Sequence, residues 1–362
     1  MVYDAGGIDE TIRGQSRWPE TEATPALTLF LTNLDDASLR RVRQLGVTGV
    51  CMGSLMSGGL ETWTDDVLRQ HMDRIAEAGL VLRNVMFNPS TAVRYGETGR
   101  DGDIETIIKA IQVAGRLGLP VMEYNFYAHR IVEGYAVVPG RGGSGLTEFN
   151  YDRIRDLPPL GRGDGGSDHN DYGAHSLAEM WDNVTYYLKA VIPVAEEAGV
   201  RLALHPNDPP APVSRGSGQI MSTLEGWKRL VDIVPSPYNG ITFDCGVTRE
   251  LGHDPVEVCR YFGERDRINH VHFRNVVTRV SNLDYTEVWI DEGQVDMFAV
   301  MSELVRQKYP RLIYPEHPPG NDADTEHPFD GVSSSNYTGF AYTVGYARAM
   351  MQAALATLGN EA

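Results

Sequence analysis

The stretch VRLALHPNDPPAP, residues 200–212, is a short apolar run that stops abruptly in a polar, proline-rich loop, with His205 directly after its last apolar residue. An apolar run of this length bounded by turn residues reads as a strand buried on both faces. Seven other stretches read the same way: ALTLFLT (26–32), TGVCMG (48–53), LVLRNVMF (80–87), PVMEYNFY (120–127), GITFDCG (240–246), INHVHFRN (268–275) and RLIYPEHP (311–318). Amphipathic segments lie between them. DDASLRRVRQLG, TDDVLRQHMDRIAEAG and DIETIIKAIQVAGRLG carry apolar residues at helical spacing, begin on acidic or hydroxyl residues and stop at glycine. SLAEMWDNVTYYLKAVIPVAEEAG reads as a longer helix, kinked or broken near Pro193.

Strands alternating with helices build a parallel sheet with right-handed crossovers. Eight such units favour closure into a (β/α)8 TIM barrel over an open doubly wound sheet. No glycine-rich phosphate fingerprint follows the first strand, which removes support for a dinucleotide fold. Barrels reach 362 residues as one domain when their loops carry insertions, so the expectation is one barrel domain over 1–362. Two segments depart from the alternation. Residues 128–175, with GRGGSG and LGRGDGGSDHNDYG, are too long for a passive loop. Following the fourth strand, they are expected over the strand C-termini as a lid or an oligomer contact, which points to a homo-oligomer. Residues 318–336 form a second such loop after the eighth strand.

Hydrophobic residues at 42% and charged residues at 22% describe a globular chain. The formal charge of −17 and the lack of a basic run argue against nucleic acid as a partner. A small anionic substrate stays open, because one arginine or metal ion can dominate a small site. The three cysteines, Cys51, Cys245 and Cys259, do not suggest a disulfide framework. The N-terminal MVYDAGGIDETIRGQ has no signal-type apolar core. No run approaches the roughly 18 apolar residues of a membrane span. The expectation is a cytoplasmic protein without a membrane partner.

A barrel places its chemistry where strands end. The titratable residues there are Glu123, His205, Asp244, His270 with His272, and Glu316 with His317. Imidazoles and carboxylates converging from four strands suit Mn²⁺, Fe²⁺, Co²⁺ or Zn²⁺. His272 lies nearer the mouth than His270, which leaves His270 as an outer partner or a packing residue. Cys245 is an alternative to Asp244 as ligand, and Asp244 is equally able to cap the next helix. Cys51 and Cys259 read as core thiols.

The runs ETGRDGDIETIIKAIQVAGRLGLPVMEYNF, WDNVTYYLKAVIPVAEEAGVRLALHPNDPP, HVHFRNV and DMFAVM, and their order, resemble the D-mannonate dehydratase family from about Trp18 to the final helix. The resemblance implies a metal-dependent barrel related to xylose isomerase that converts D-mannonate to 2-keto-3-deoxy-D-gluconate. The family's ligands come from an HPDDPP-like motif, a cysteine after the sixth strand, an HLRN-like motif and a PDH motif. Carried over, they fall on His205, Asp244, His272 and Glu316. The histidine after the PDH aspartate and a tyrosine beyond it act in the family's chemistry. They match His317 and Tyr337, with Tyr342 as the fallback. Asp244 stands where the family has cysteine, Glu316 where it has aspartate, and Asn207 at the first aspartate of the DD pair. PEHPPG lacks the usual Gly-Arg. These departures harden the donor set toward Mn²⁺.

The leading expectation is a hydro-lyase acting on a small sugar acid. Arg274 would meet its carboxylate in bidentate fashion, and Asn125 and Asn207 its hydroxyls. The rival for Arg274 is a strand-end ion pair, and for the asparagines a loop-holding role. A metal-dependent isomerase or epimerase of the xylose-isomerase type, with Glu123 as further ligand or base, is the second expectation. A catalytically inactive binding barrel is the third.

Overall fold

The computed structural model describes residues 21, 23–129, 132–159, 173–328, 331 and 336–358. Its strands are β1 (Ala26–Leu31), β2 (Gly49–Gly53), β3 (Val81–Phe87), β4 (Val121–Tyr124), β5 (Tyr135–Pro139), β6 (Gly145–Asn150), β7 (Arg201–Leu204), β8 (Val213–Ser214), β9 (Ser217–Gly218), β10 (Asn239–Asp244), β11 (Ile268–His272), β12 (Asn275–Val280), β13 (Asp284–Val288) and β14 (Leu312–Tyr314). The helices are α1 (Asp36–Gln44), α2 (Asp65–Glu77), α3 (Thr91–Tyr95), α4 (Arg100–Leu117), α5 (Leu177–Ala198), α6 (Leu224–Ile233), α7 (Cys245–Glu250), α8 (Pro255–Gly263), α9 (Met297–Arg306), α10 (Asp322–Glu326) and α11 (Tyr337–Leu358).

Eight strands close a parallel barrel in the order β1-β14-β11-β10-β7-β4-β3-β2. This is the (β/α)8 architecture that the alternation implies. Strands β4, β10, β11 and β14 are buried along their whole length. Helices cover one face of such a sheet and the barrel interior fills the other, hence the unbroken apolar runs. The helix punctuation works as expected on α1 and α5, whereas α4 begins at Arg100, three residues before Asp103, with Gly99 as its N-cap and no side-chain cap. Asp35 accepts from the Ser38 amide to cap α1, and Ser176 with Glu179 forms a capping box on α5. Gly118 and Gly199 close α4 and α5 in the left-handed conformation. Of the kink or break expected at Pro193, the break does not occur: α5 runs as one helix from Leu177 to Ala198. Val191, Ile192 and Ala195, buried on both sides of the proline, tie the two halves to the same core.

Residues 128–175 supply β5 and β6, which form a four-stranded antiparallel sheet in the order β12-β13-β6-β5. Half of this sheet, β12 and β13, comes from the connection after β11. The sheet buries Phe149, Ile154 and Tyr285 with Ala211 in a small core of its own. It is tied to the loop after β14 by a backbone bridge between Gly145 and Gly320. Parts of both long loops (160–172, 329–330 and 332–335), and the N-terminal MVYDAGGIDETIRGQ, lie outside the described residues. Among the described residues no helix is long and apolar enough to cross a membrane. All three cysteines are free and buried.

Candidate active site

Parallel in-register strands finish together, so the residues at their ends meet. Asp244, the last residue of β10, is the register partner of His272, the last residue of β11. His272 in turn faces Tyr314, the last residue of β14, and Glu316 lies two residues further on. His205 follows β7 directly. One ligand atom from each of His205, Asp244, His272 and Glu316 lies within 4.8 Å of every other, and all four residues are buried.

The hydrogen bonds around this cluster fix which atoms point inward. His205 Nδ1 lies 2.7 Å from the Pro206 carbonyl oxygen. A ring nitrogen facing a carbonyl carries the proton, so Nε2 holds the lone pair. That nitrogen is 3.1 Å from His272 Nδ1, which lies 2.9 Å from Glu316 Oε1. A lone pair and a carboxylate converging on one point require positive charge there, either a proton on His272 or a metal ion. Glu316 Oε1, buried and without a hydrogen bond, is turned into the gap beside His272 Nδ1. The donor set, two imidazoles and two carboxylates, fits a divalent cation.

The electrostatics agree. Burial, and the charge of His272, push the His205 imidazole down to about 4. Burial opposes charge on His272, but Glu316 and Glu123 outweigh it and hold that ring well above the usual histidine range. Burial drives Asp244 up to about 6 against the pull of Arg274.

Glu123, at the barrel centre on β4, backs the histidines. It accepts from Asn84 Nδ2 (2.9 Å) and Thr242 Oγ1 (2.8 Å). His270 Nδ1 lies 3.1 Å and His272 Nε2 3.2 Å from its oxygens. Burial works against its charge, yet the two histidines hold it well below the carboxylate range. Glu123 thus lies behind His272, and with His270 and His272 it forms a second buried group whose ligand atoms lie within 4.8 Å of one another.

Arg274 is fully buried and meets carboxylates of the protein on every side. Nε donates to Asp244 Oδ2 (3.1 Å), Nη1 to Glu250 Oε1 (2.8 Å) and Nη2 to Asp208 Oδ2 (3.0 Å). Glu316 Oε1 is 3.3 Å from Nε. This is the ion-pair arrangement considered as the rival for Arg274: one N–H on each of its three nitrogens is held by a protein carboxylate, and Arg274 is not among the residues that line the cavity above the cluster. Asp244 caps the next helix and also faces the cluster. Its Oδ1 caps α7 by accepting from the Val247 amide, 2.8 Å away, and a carboxylate keeps lone pairs beyond these two contacts. Cys245 turns its thiol to the carbonyls of His272 and Arg274, at 3.5 and 3.2 Å, not into the cluster.

A cavity of about 150 Å³ opens above the cluster, walled by Phe30, Met86, Asn125, Tyr127, Tyr314 and His317 together with the histidines and acids. Asn125 reaches it with an unpartnered buried Oδ1. Asn207 does not. It donates to Gln219 Oε1 and accepts from the Met221 amide, both at 2.8 Å, which is the loop-holding alternative. His317 contacts Glu287 Oε1 through Nδ1 at 3.0 Å. Burial opposes its charge, but Glu287 and Glu316 raise the imidazole to about 9. Tyr337 is not brought to the cavity; its hydroxyl donates to the Arg41 carbonyl at the end of α1, 3.1 Å away. Tyr342 packs edge-on against Trp289 and is 41% exposed. Asp208, Glu250, Glu287, Tyr135 and Tyr285 were not singled out from the sequence. Asp208 alone had a signal, the NDPP run beside His205; both tyrosines donate to its Oδ1 at 3.0 Å.

A family model described as D-mannonate dehydratase (UxuA) matches residues 26–161 and 166–357. The mannonate dehydratase of Thermotoga maritima is 30% identical, covering 78% of this chain and 86% of its own length. That of Streptococcus suis (strain 05ZYH33) is 28% identical over 71% of this chain and 75% of the relative. The crystal structure of mannonate dehydratase from Streptococcus suis serotype 2 shares the fold, with a TM-score of 0.79 at 23% identity, covering 93% of this chain and 96% of that one. D-psicose 3-epimerase from Clostridium cellulolyticum H10 has the same barrel at a TM-score of 0.57 and 11% identity, covering 90% and 99%.

Proposed function

We propose that this chain, which belongs to the D-mannonate dehydratase family, removes water from a sugar acid of the D-mannonate type to give a 2-keto-3-deoxy acid. The observation that carries the reading is the approach of His205, Asp244, His272 and Glu316 to within 4.8 Å of one another from four barrel strands. A divalent cation held by these four would stabilise the enolate-like charge that forms when the proton α to the carboxylate leaves. Mn²⁺ suits the donors best, ahead of Fe²⁺, Co²⁺ and Zn²⁺, because two of them are hard carboxylates.

The protein's own groups supply the rest. The Pro206 carbonyl holds His205 in one tautomer, and Arg274 holds the carboxylates of Asp244 and Glu316 in place. His317 reaches the cavity from the loop after β14; its neutral ring would take the α proton at Nε2 and hand it to the departing β-hydroxyl, so that water leaves and the ring ends as it began. Asn125 Oδ1 accepts from a substrate hydroxyl. Phe30, Met86 and Tyr314 keep bulk water away from the reacting carbons.

The test is incubation with D-mannonate and a panel of related aldonic and uronic acids in Mn²⁺, followed by mass spectrometry. Loss of one water with appearance of a 2-keto-3-deoxy acid is expected. A product of unchanged mass would replace this reading with an isomerase or epimerase. A protein with no bound or restorable divalent ion would point to a binding barrel.

A further inference from the structure

Glu287 belongs to no strand end of the barrel. It stands on β13, in the connection after β11, and it is buried. Its backbone is held from both sides, opposite Val276 of β12 and Thr147 of β6. Its Oε1 reaches His317 Nδ1 at 3.0 Å, while Arg274 Nη1 lies 3.6 Å from the same oxygen. His317 shows a second constraint: its φ of 49° places a non-glycine residue in the left-handed region, which costs of order 1 kcal/mol and persists only where the surroundings hold it. The backbone thus aims the ring and the carboxylate settles which nitrogen is bound. The other nitrogen, Nε2, is left toward the cavity, 3.5 Å from Glu316 Oε2.

The geometry points to Glu287 as a positioning residue for His317: by accepting the Nδ1 proton in a hydrogen bond it sets the ring's orientation and tautomer, so that Nε2 is the atom presented to substrate. The role rests on His317 being the proton-moving group of the proposed dehydration. Glu287 does not itself line the cavity formed by the described residues; it acts through the ring, as the orienting carboxylate of a nucleophile–base–orienter arrangement does. It also gives the four-stranded sheet a part in the chemistry. The pairing of β6 with β13 holds the strand from which Glu287 reaches the histidine.

The experiment compares Glu287→Ala, Glu287→Gln, His317→Asn and the double variant Glu287→Ala/His317→Asn with the Mn²⁺-loaded wild type on D-mannonate, with melting temperature and bound Mn²⁺ measured for each. Misdirecting the ring lowers kcat of Glu287→Ala about 10- to 100-fold, with KM and Mn²⁺ content close to wild type. Glu287→Gln recovers most of that loss, because its amide oxygen still accepts from Nδ1. The double variant is no slower than His317→Asn, since Glu287 then has nothing to position. Wild-type kcat in Glu287→Ala, a glutamine variant as slow as the alanine one, or losses that multiply in the double variant would each overturn the assignment. If His317→Asn alone keeps wild-type kcat, the role of His317 fails and the positioning role falls with it. If His317→Asn loses activity while Glu287→Ala does not, only the positioning role fails.

Discussion

Replacing Arg274 with methionine removes a charge while nearly preserving volume. Arg274 is 2% exposed and donates to Asp244, Glu250 and Asp208 at 3.1, 2.8 and 3.0 Å. Without it, three buried carboxylates lose their cation. Breaking one buried pair costs roughly 3–5 kcal/mol. The three losses do not add, because the orphaned acids escape by taking up a proton, so about 3–5 kcal/mol is the expected total. An unfolding entropy of about 2.1 cal/mol/K per residue over 362 residues gives roughly 0.76 kcal/mol per degree. The melting temperature should therefore fall by about 4–7 °C. The loss should also depend on pH. Burial already holds Glu250 well above the carboxylate range, while Arg274 pulls it down. A group raised in the folded state contributes stability below its unfolded pKa and loses it as pH rises through the folded one. Removing the guanidinium raises Glu250 further, so the variant's deficit should be smaller near pH 5 than near pH 8. Differential scanning calorimetry of metal-stripped protein at the two pH values measures this. A deficit that does not change with pH, or no deficit at all, would refute the view that Arg274 neutralises this cluster.

The remaining expectations concern the metal and the tyrosine. Glu123→Gln weakens the partner behind His270 and His272, so Mn²⁺ affinity measured by isothermal titration should fall about 10- to 100-fold; an unchanged affinity would remove Glu123 from that role. Stripping metal with a chelator should lower the melting temperature by about 3–4 °C relative to protein in free Mn²⁺ at about 100 times its Kd, a linkage of about 2.7 kcal/mol, and added Mn²⁺ should restore it. Tyr337→Phe removes a hydroxyl that donates to the Arg41 carbonyl. It should cost about 1 kcal/mol in stability and leave kcat near wild type, whereas a collapse of kcat in steady-state assays would place a tyrosine of α11 in the chemistry after all.

The barrel was legible because each apolar run, such as RLAL before His205 or INHVH, carries its own evidence of burial in a few adjacent residues. The meeting of His205, Asp244, His272 and Glu316 was legible for a related reason: a closed parallel barrel leaves strand ends nowhere to go but one rim. The sheet of β5, β6, β12 and β13 was not. Its ladders join residues far apart in the chain, Thr147 with Glu287 for instance, and alternation within a strand does not name its partner. Arg274 was placed beside His272, with a strand-end ion pair as one of its two readings, but which acids it would meet was not legible. Nothing local indicates that Asp208, Glu250 and Asp244 would surround it.

Local chemistry thus sets the elements, their ends and the residue types that stand at each end, since burial, capping and turn preference act over a few residues at a time. Which of those residues touch is a matter of long-range geometry. Register, insertion pairing and the directions of side chains gave Glu287 to His317, turned Cys245 to the backbone of β11, and withdrew Asn207, Arg274 and Tyr337 from the cavity. Those contacts exist only once the chain has closed.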